Sequence, residues 1–141
     1  MGTGLSIAVA ALFVWLGMVL AISFLEAPLK FRAPGVTLAL GLGIGRLVFR
    51  ALNGCEAVLA AAVLIGLGVG AAPVAVLTAA VTASLLLTVQ VLAVRPALTR
   101  RSDAVLAGAQ GARSHAHHVY LALEVVKVVA LLIAGTLLLT H

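Results

Sequence analysis

"HAHHVYLALEVVKVVALLIAGTLLLT", residues 115–140, decides the fold of this chain. From about His118 to Thr140 it is an apolar run broken by Glu124 and Lys127. A helix crossing the roughly 30 Å hydrocarbon core of a bilayer needs about 20 such residues. Three further runs of this kind lie upstream. The composition agrees with them: of 141 residues, 64% are hydrophobic and 9% are charged. Soluble domains carry about 25% charged residues. The mean hydropathy is +1.28. Such a chain lacks the polar side chains to cover a water-facing surface, and its length suits one domain.

The spans follow from the breakers. Span 1 is expected over about residues 3–25. It lacks the basic start of a signal peptide, and its apolar run is too long for one, so it reads as a retained span. "EAPLKFRAPG", with Pro28, Pro34 and Gly35, reads as a turn. Span 2 is expected over about 47–70, with 36–46 either a tilted interfacial segment or the protruding base of that span. Its alternating Gly41, Gly43 and Gly45 weaken a helix or let another one approach. "GAAP" is a tight turn, and span 3 follows over about 74–94, ended by Arg95-Pro96. Residues 95–117 form a cytoplasmic loop in which "SDAVLAGAQ" offers a short surface helix capped by Ser102. Span 4 runs over about 118–140. The expected fold is all-α, an integral membrane four-helix bundle in one domain.

Basic residues orient it. The first connection holds Lys30 and Arg32, with Arg46 and Arg50 just beyond. The third holds Arg95, Arg100, Arg101 and Arg113. Eight of the nine basic residues therefore share one side, which the positive-inside rule makes cytoplasmic, with both termini outside. The net charge of +5 is thus a membrane-flanking charge. No aromatic-interleaved basic surface for a nucleic-acid strand accompanies it.

Ionisable residues within a span cost about 2.5 to 3.5 kcal/mol each at its centre, so each needs a partner or a cavity. Counted from the outer ends of their spans, Asn53, Glu56, Gln90, Glu124 and Lys127 all lie about 20 to 26 Å deep. A second band, at roughly 30 to 36 Å, contains Ser23, Glu26, Arg46, Arg50, His117 and Tyr120. Helical phase groups them further. His117, Tyr120, Glu124 and Lys127 fall within an arc of about 80°, and Arg46, Arg50, Asn53 and Glu56 within about 120°. Two polar stripes at matching depth are expected to face each other inside the bundle. Such a network acts as glue that fixes helix register, as a path for protons, ions or a small solute, or as a ligand or partner site.

His115, His117 and His118 gather at the start of span 4. They are polar end groups, a proton relay, or ligands for a divalent metal or haem with Glu26 or Asp103 nearby. No histidine occurs on spans 1 to 3 to supply a second axial haem ligand. A single cysteine, Cys55, excludes an internal disulfide. No hydrolase nucleophile motif, phosphate loop or nucleotide fold is present, and "GLGIGR" does not match G-x-G-x-x-G.

"SFLEAPLKFRAPG", "GIGRLVFRALNGCE" and "HHVYLALEVVK" together resemble a group of small bacterial four-pass membrane proteins of the hypothetical, domain-of-unknown-function kind. The resemblance covers most of the chain. It implies a four-helix membrane fold in the bacterial inner membrane and carries no activity with it. The expected role is that of a non-enzymatic membrane protein without a cofactor, oligomeric or accessory to a larger complex. The alternatives are a small transporter or channel and a haem- or metal-binding redox protein.

Overall fold

The computed structural model describes residues 1–108 and 115–141, with the backbone alone at 115 and 116. The described residues build four long helices and no strand. We label them α1 (Thr3–Lys30), α2 (Leu38–Val69), α3 (Val74–Leu106) and α4 (His115–Leu139). Each is long and apolar enough to cross a membrane, the make-up of a multi-pass membrane protein.

Local chemistry sets the joints. Thr37 sits in extended backbone and its Oγ1 accepts the Leu40 amide at 3.1 Å, which caps α2. Between α2 and α3 the chain reverses in four residues. Ala71 takes a positive φ of 51°, and the Ala72 amide reaches back to the Leu67 carbonyl at 3.1 Å. That is the six-to-one bond of a Schellman closure, with alanine where glycine is usual. Pro73 then opens α3 from an extended conformation.

Two boundaries differ from expectation, and at a third, one of the two expected alternatives forms. α1 does not stop near residue 25 but passes through Pro28 to Lys30. α3 does not stop at Arg95-Pro96 but continues to Leu106, so residues 95–106 are helix rather than loop, and no separate surface helix forms there. α2 starts at Leu38, so the segment 36–46 is no independent interfacial piece. The first two share one cause. Proline removes an i→i−4 bond and pushes its ring against the carbonyl of residue i−4. Here each proline follows a π-helical stretch, Leu20–Glu26 before Pro28 and Gln90–Val94 before Pro96. The wider turn makes room for the ring, and the helix carries through. At 1.5 Å per residue, α2 and α3 reach about 50 Å, so one end of each projects beyond a hydrocarbon core.

The helices pack antiparallel to their chain neighbours. α1 lies close on α2, where a Cβ on Gly66 would sit 2.6 Å from the Gly4 carbonyl oxygen. Small residues let helix backbones approach this closely. At the opposite end the Phe31 ring fills the space a side chain on Gly41 would need. Leu12, Trp15, Val63, Leu67, Ala80, Leu131 and Leu138 belong to one continuous buried apolar core. Outward faces are apolar too, with Leu47, Val58, Ile65, Val69 and Val74 among the most exposed side chains.

Candidate functional site

Beside the apolar core, three helices meet at a single ammonium group, and the fourth reaches its carboxylates. Lys127 Nζ lies 2.5 Å from Glu56 Oε1 on α2 and 2.5 Å from Glu124 Oε1 one turn back on α4. It donates to Gln90 Oε1 on α3 at 2.8 Å. The ammonium thus meets three oxygens on three different side chains, two by ion pair and one by hydrogen bond.

The carboxylates are satisfied in turn. Trp15 on α1 donates its indole Nε1–H to Glu56 Oε1 at 2.9 Å, while Asn53 Nδ2 donates to Glu56 Oε2 at 2.9 Å. Ser23 Oγ on α1 donates to Glu124 Oε2 at 2.6 Å. Gln90 Nε2 donates to Glu124 Oε1 and to the Tyr120 carbonyl, each at 3.3 Å. Glu56, Gln90, Glu124 and Lys127 are all 0% exposed. No side-chain nitrogen or oxygen of this cluster stands among the described buried atoms that lack a partner. Taking an ion out of water costs several kcal/mol, offset only when every lone pair and proton is met in good geometry. This cluster meets that condition.

From the cluster a polar line leads to the basic end. Asn53 Oδ1 accepts from Arg95 Nη1, and Arg95 Nη2 donates to the Arg46 carbonyl at 3.1 Å. Arg46 pairs with Asp103 at 2.5 Å. Tyr120 is buried beside Asn53, its ring edge-on to Phe49 with centroids 5.8 Å apart. Glu56 and Glu124 against Lys127 and Arg95 make the set charge-neutral overall. Toward the other end, the apolar core closes it.

Of the residues singled out by depth and phase, Asn53, Glu56, Gln90, Tyr120, Glu124 and Lys127 come together. Glu26 does not: it faces Lys30 at 3.8 Å, four residues on along α1. Arg46 touches the set only through its backbone carbonyl, and Arg50 points outward, exposed. Ser23, expected in the second band, joins the cluster through Glu124, while Trp15 and Arg95 are additions. Trp15 had a legible signal, since an indole N–H buried in a span needs an acceptor. Ser23 and Gln90 both sit in π-helical stretches, whose wider turn alters the phase that a 100° period predicts. Arg95 was assigned to a loop that is helix.

His117 and His118 stand exposed at the start of α4, ring centroids 5.9 Å apart. The side chain of His115 lies outside the described residues. Among the described residues no three His, Cys, Asp or Glu side chains gather as a metal would require. Cys55 is exposed on α2. Comparison with protein-family models, curated proteins and solved structures finds no match to this chain.

Proposed function

We propose that this is a non-enzymatic multi-pass membrane protein, oligomeric or accessory to a larger membrane complex, in which the ion cluster locks four helices into one register. One observation carries this reading: the Lys127 ammonium is ringed by oxygens from three helices at full burial. A saturated, charge-balanced site has no open position for a reacting atom, and its use is conformational. The basic end, with Lys30, Arg32, Arg46, Arg50, Arg95, Arg100 and Arg101, faces the cytoplasm on this reading. Both termini then face outward from a bacterial inner membrane. The apolar outward faces meet lipid and, in an oligomer or complex, another span.

The test is purification in mild detergent with partners retained, followed by light scattering, an absorbance spectrum and elemental analysis. A mass above that of one chain, from further copies or a stoichiometric partner, is the expected result. A Soret band or a stoichiometric metal lost in the His115→Ala, His118→Ala double variant would replace this reading with a redox or metal-binding one.

A specific observation favours a second reading. The line Glu56–Asn53–Arg95 joins the buried carboxylates to the basic end, as one half of a proton or ion path would. Proton flux into proteoliposomes that is abolished by Glu124→Gln would decide for a small transporter or channel. Flux equal to that of protein-free vesicles leaves the structural role standing.

A further inference from the structure

Beside the cluster, α2 and α3 part to leave a lipid-facing groove of about 480 Å³. Its walls are Gly54, Ala57, Val91 and Leu92, and its basic end is framed by Arg50 and Arg95. Asn53 and Thr88 also line it, but the Asn53 amide is taken by Glu56 and Arg95, and the Thr88 hydroxyl is given to the Ser84 carbonyl at 2.9 Å. The slot above the arginines is therefore apolar.

Of the arginines below, Arg95 is the counter-charge of the buried carboxylates, and Arg50 has none among the described residues. Asp103 is taken by Arg46. Arg95 donates only to neutral acceptors, Asn53 Oδ1 and the Arg46 carbonyl. Arg50 is exposed and meets no carboxylate among the described residues. Counted from Gly70 at 1.5 Å per residue, Arg50 lies about 30 Å down α2, the depth at which hydrocarbon gives way to headgroups. Two guanidiniums at headgroup depth, under a slot with no free polar group, match a molecule with an anionic head and an apolar tail.

We propose that this groove seats an anionic phospholipid of the surrounding bilayer, its phosphate between Arg50 and Arg95 and one acyl chain along Gly54, Ala57 and Val91. Guanidinium forks suit phosphate oxygens. A zwitterionic lipid brings its own cation to the same arginines and is disfavoured. The proposal rests on the chain being a bilayer protein, which flotation with vesicles checks separately.

The test is native mass spectrometry of the full chain released from bilayers of equal phosphatidylglycerol and phosphatidylcholine. The intact protein should retain phosphatidylglycerol preferentially. Arg50→Gln, an exposed change, should lower that preference about fivefold, the worth of one arginine near an anionic surface. Gly54→Leu should lower retention of lipid as a whole, because Gly54 lines the groove and its added Cβ meets nothing within 4 Å. Thermal unfolding of both variants should match that of the parent protein. Equal retention of the two lipids, or a preference untouched by Arg50→Gln, overturns the proposal. So does a preference erased by millimolar inorganic phosphate, which would make the seat one for a free anion. If Gly54→Leu leaves retention intact, the contact is a surface attraction and the groove is not the seat.

Discussion

At the scale of residues, Lys127 is the centre on which the others depend. Removing one partner of a buried ion pair typically costs about 3 to 5 kcal/mol, because the opposite charge is left unpaired. Lys127→Met should destabilise the protein by about that much in thermal or denaturant unfolding in detergent. Its ammonium is 2.5 Å from each of Glu56 and Glu124. Glu56→Gln and Glu124→Gln should therefore each restore part of the loss when added to Lys127→Met. Double-mutant cycles measure this, and strict additivity in either would remove that carboxylate from the cluster. Trp15→Phe deletes the donor to Glu56 and also leaves a small void, since the phenyl ring is smaller than the buried indole. A hydrogen bond to a charged group is worth about 1.5 to 3 kcal/mol, and a loss of that order is expected. Depth and phase made the two acids, Asn53, Gln90 and Lys127 legible in the sequence. They did not reveal Trp15 or Arg95, because a donor on another helix leaves no periodic mark.

At the scale of elements, the decisive features are turns. Prolines 28 and 96 read as stops because proline usually ends a helix. The π-helical stretches that precede them, Leu20–Glu26 and Gln90–Val94, carry no composition signal of their own. They also bring Ser23 and Gln90 to Glu124, so the irregularity and the site are one device. The α2–α3 turn places Ala71 at a φ of 51°, which costs an L-residue about 1 to 2 kcal/mol. Ala71→Gly should raise stability by roughly 1 kcal/mol, measured as an increase in Tm. The α1–α2 contact behaves in the opposite sense. Gly66→Leu forces a side chain into the Gly4 backbone and Ala8, an overpacking worth about 1 to 3 kcal/mol of destabilisation or more. Gly68→Ala, where an added Cβ meets nothing within 4 Å, should be neutral or stabilising by up to about 1 kcal/mol. Equal effects of the two changes would mean that α1 and α2 do not touch there.

At the scale of the whole molecule, four antiparallel helices put both termini at one end and the arginine-rich ends of α2 and α3 at the other. Sidedness then rests on the positive-inside rule. In a Cys55→Ala background, cysteines placed at Gly2 and Thr140 should react with an impermeant reagent outside intact cells. One placed at Ala107 should not. All three positions are exposed, unlike Ser102, which is buried near Ala107 in α3 and would be a poor reporter. The reverse labelling pattern would invert the bundle in the membrane.

The helix count, the apolar exterior and the band of depth at which charge must be paired are all present in the sequence. Each follows from hydropathy and a constant rise per residue, which need no knowledge of neighbours. Which acceptor meets which donor was left to the tertiary structure. Matching depth and phase point the α4 stripe at that of α2, but Glu124 alone is also a sufficient partner for Lys127 in the sequence. Only the packing of α1 on α2 at Gly4 and Gly66, and of α3 alongside α4, brings Trp15, Glu56 and Gln90 within bonding distance of the same ammonium and its carboxylates. Helix phase past a π turn and contact across helices are properties of the assembled bundle, and a one-dimensional period does not contain them.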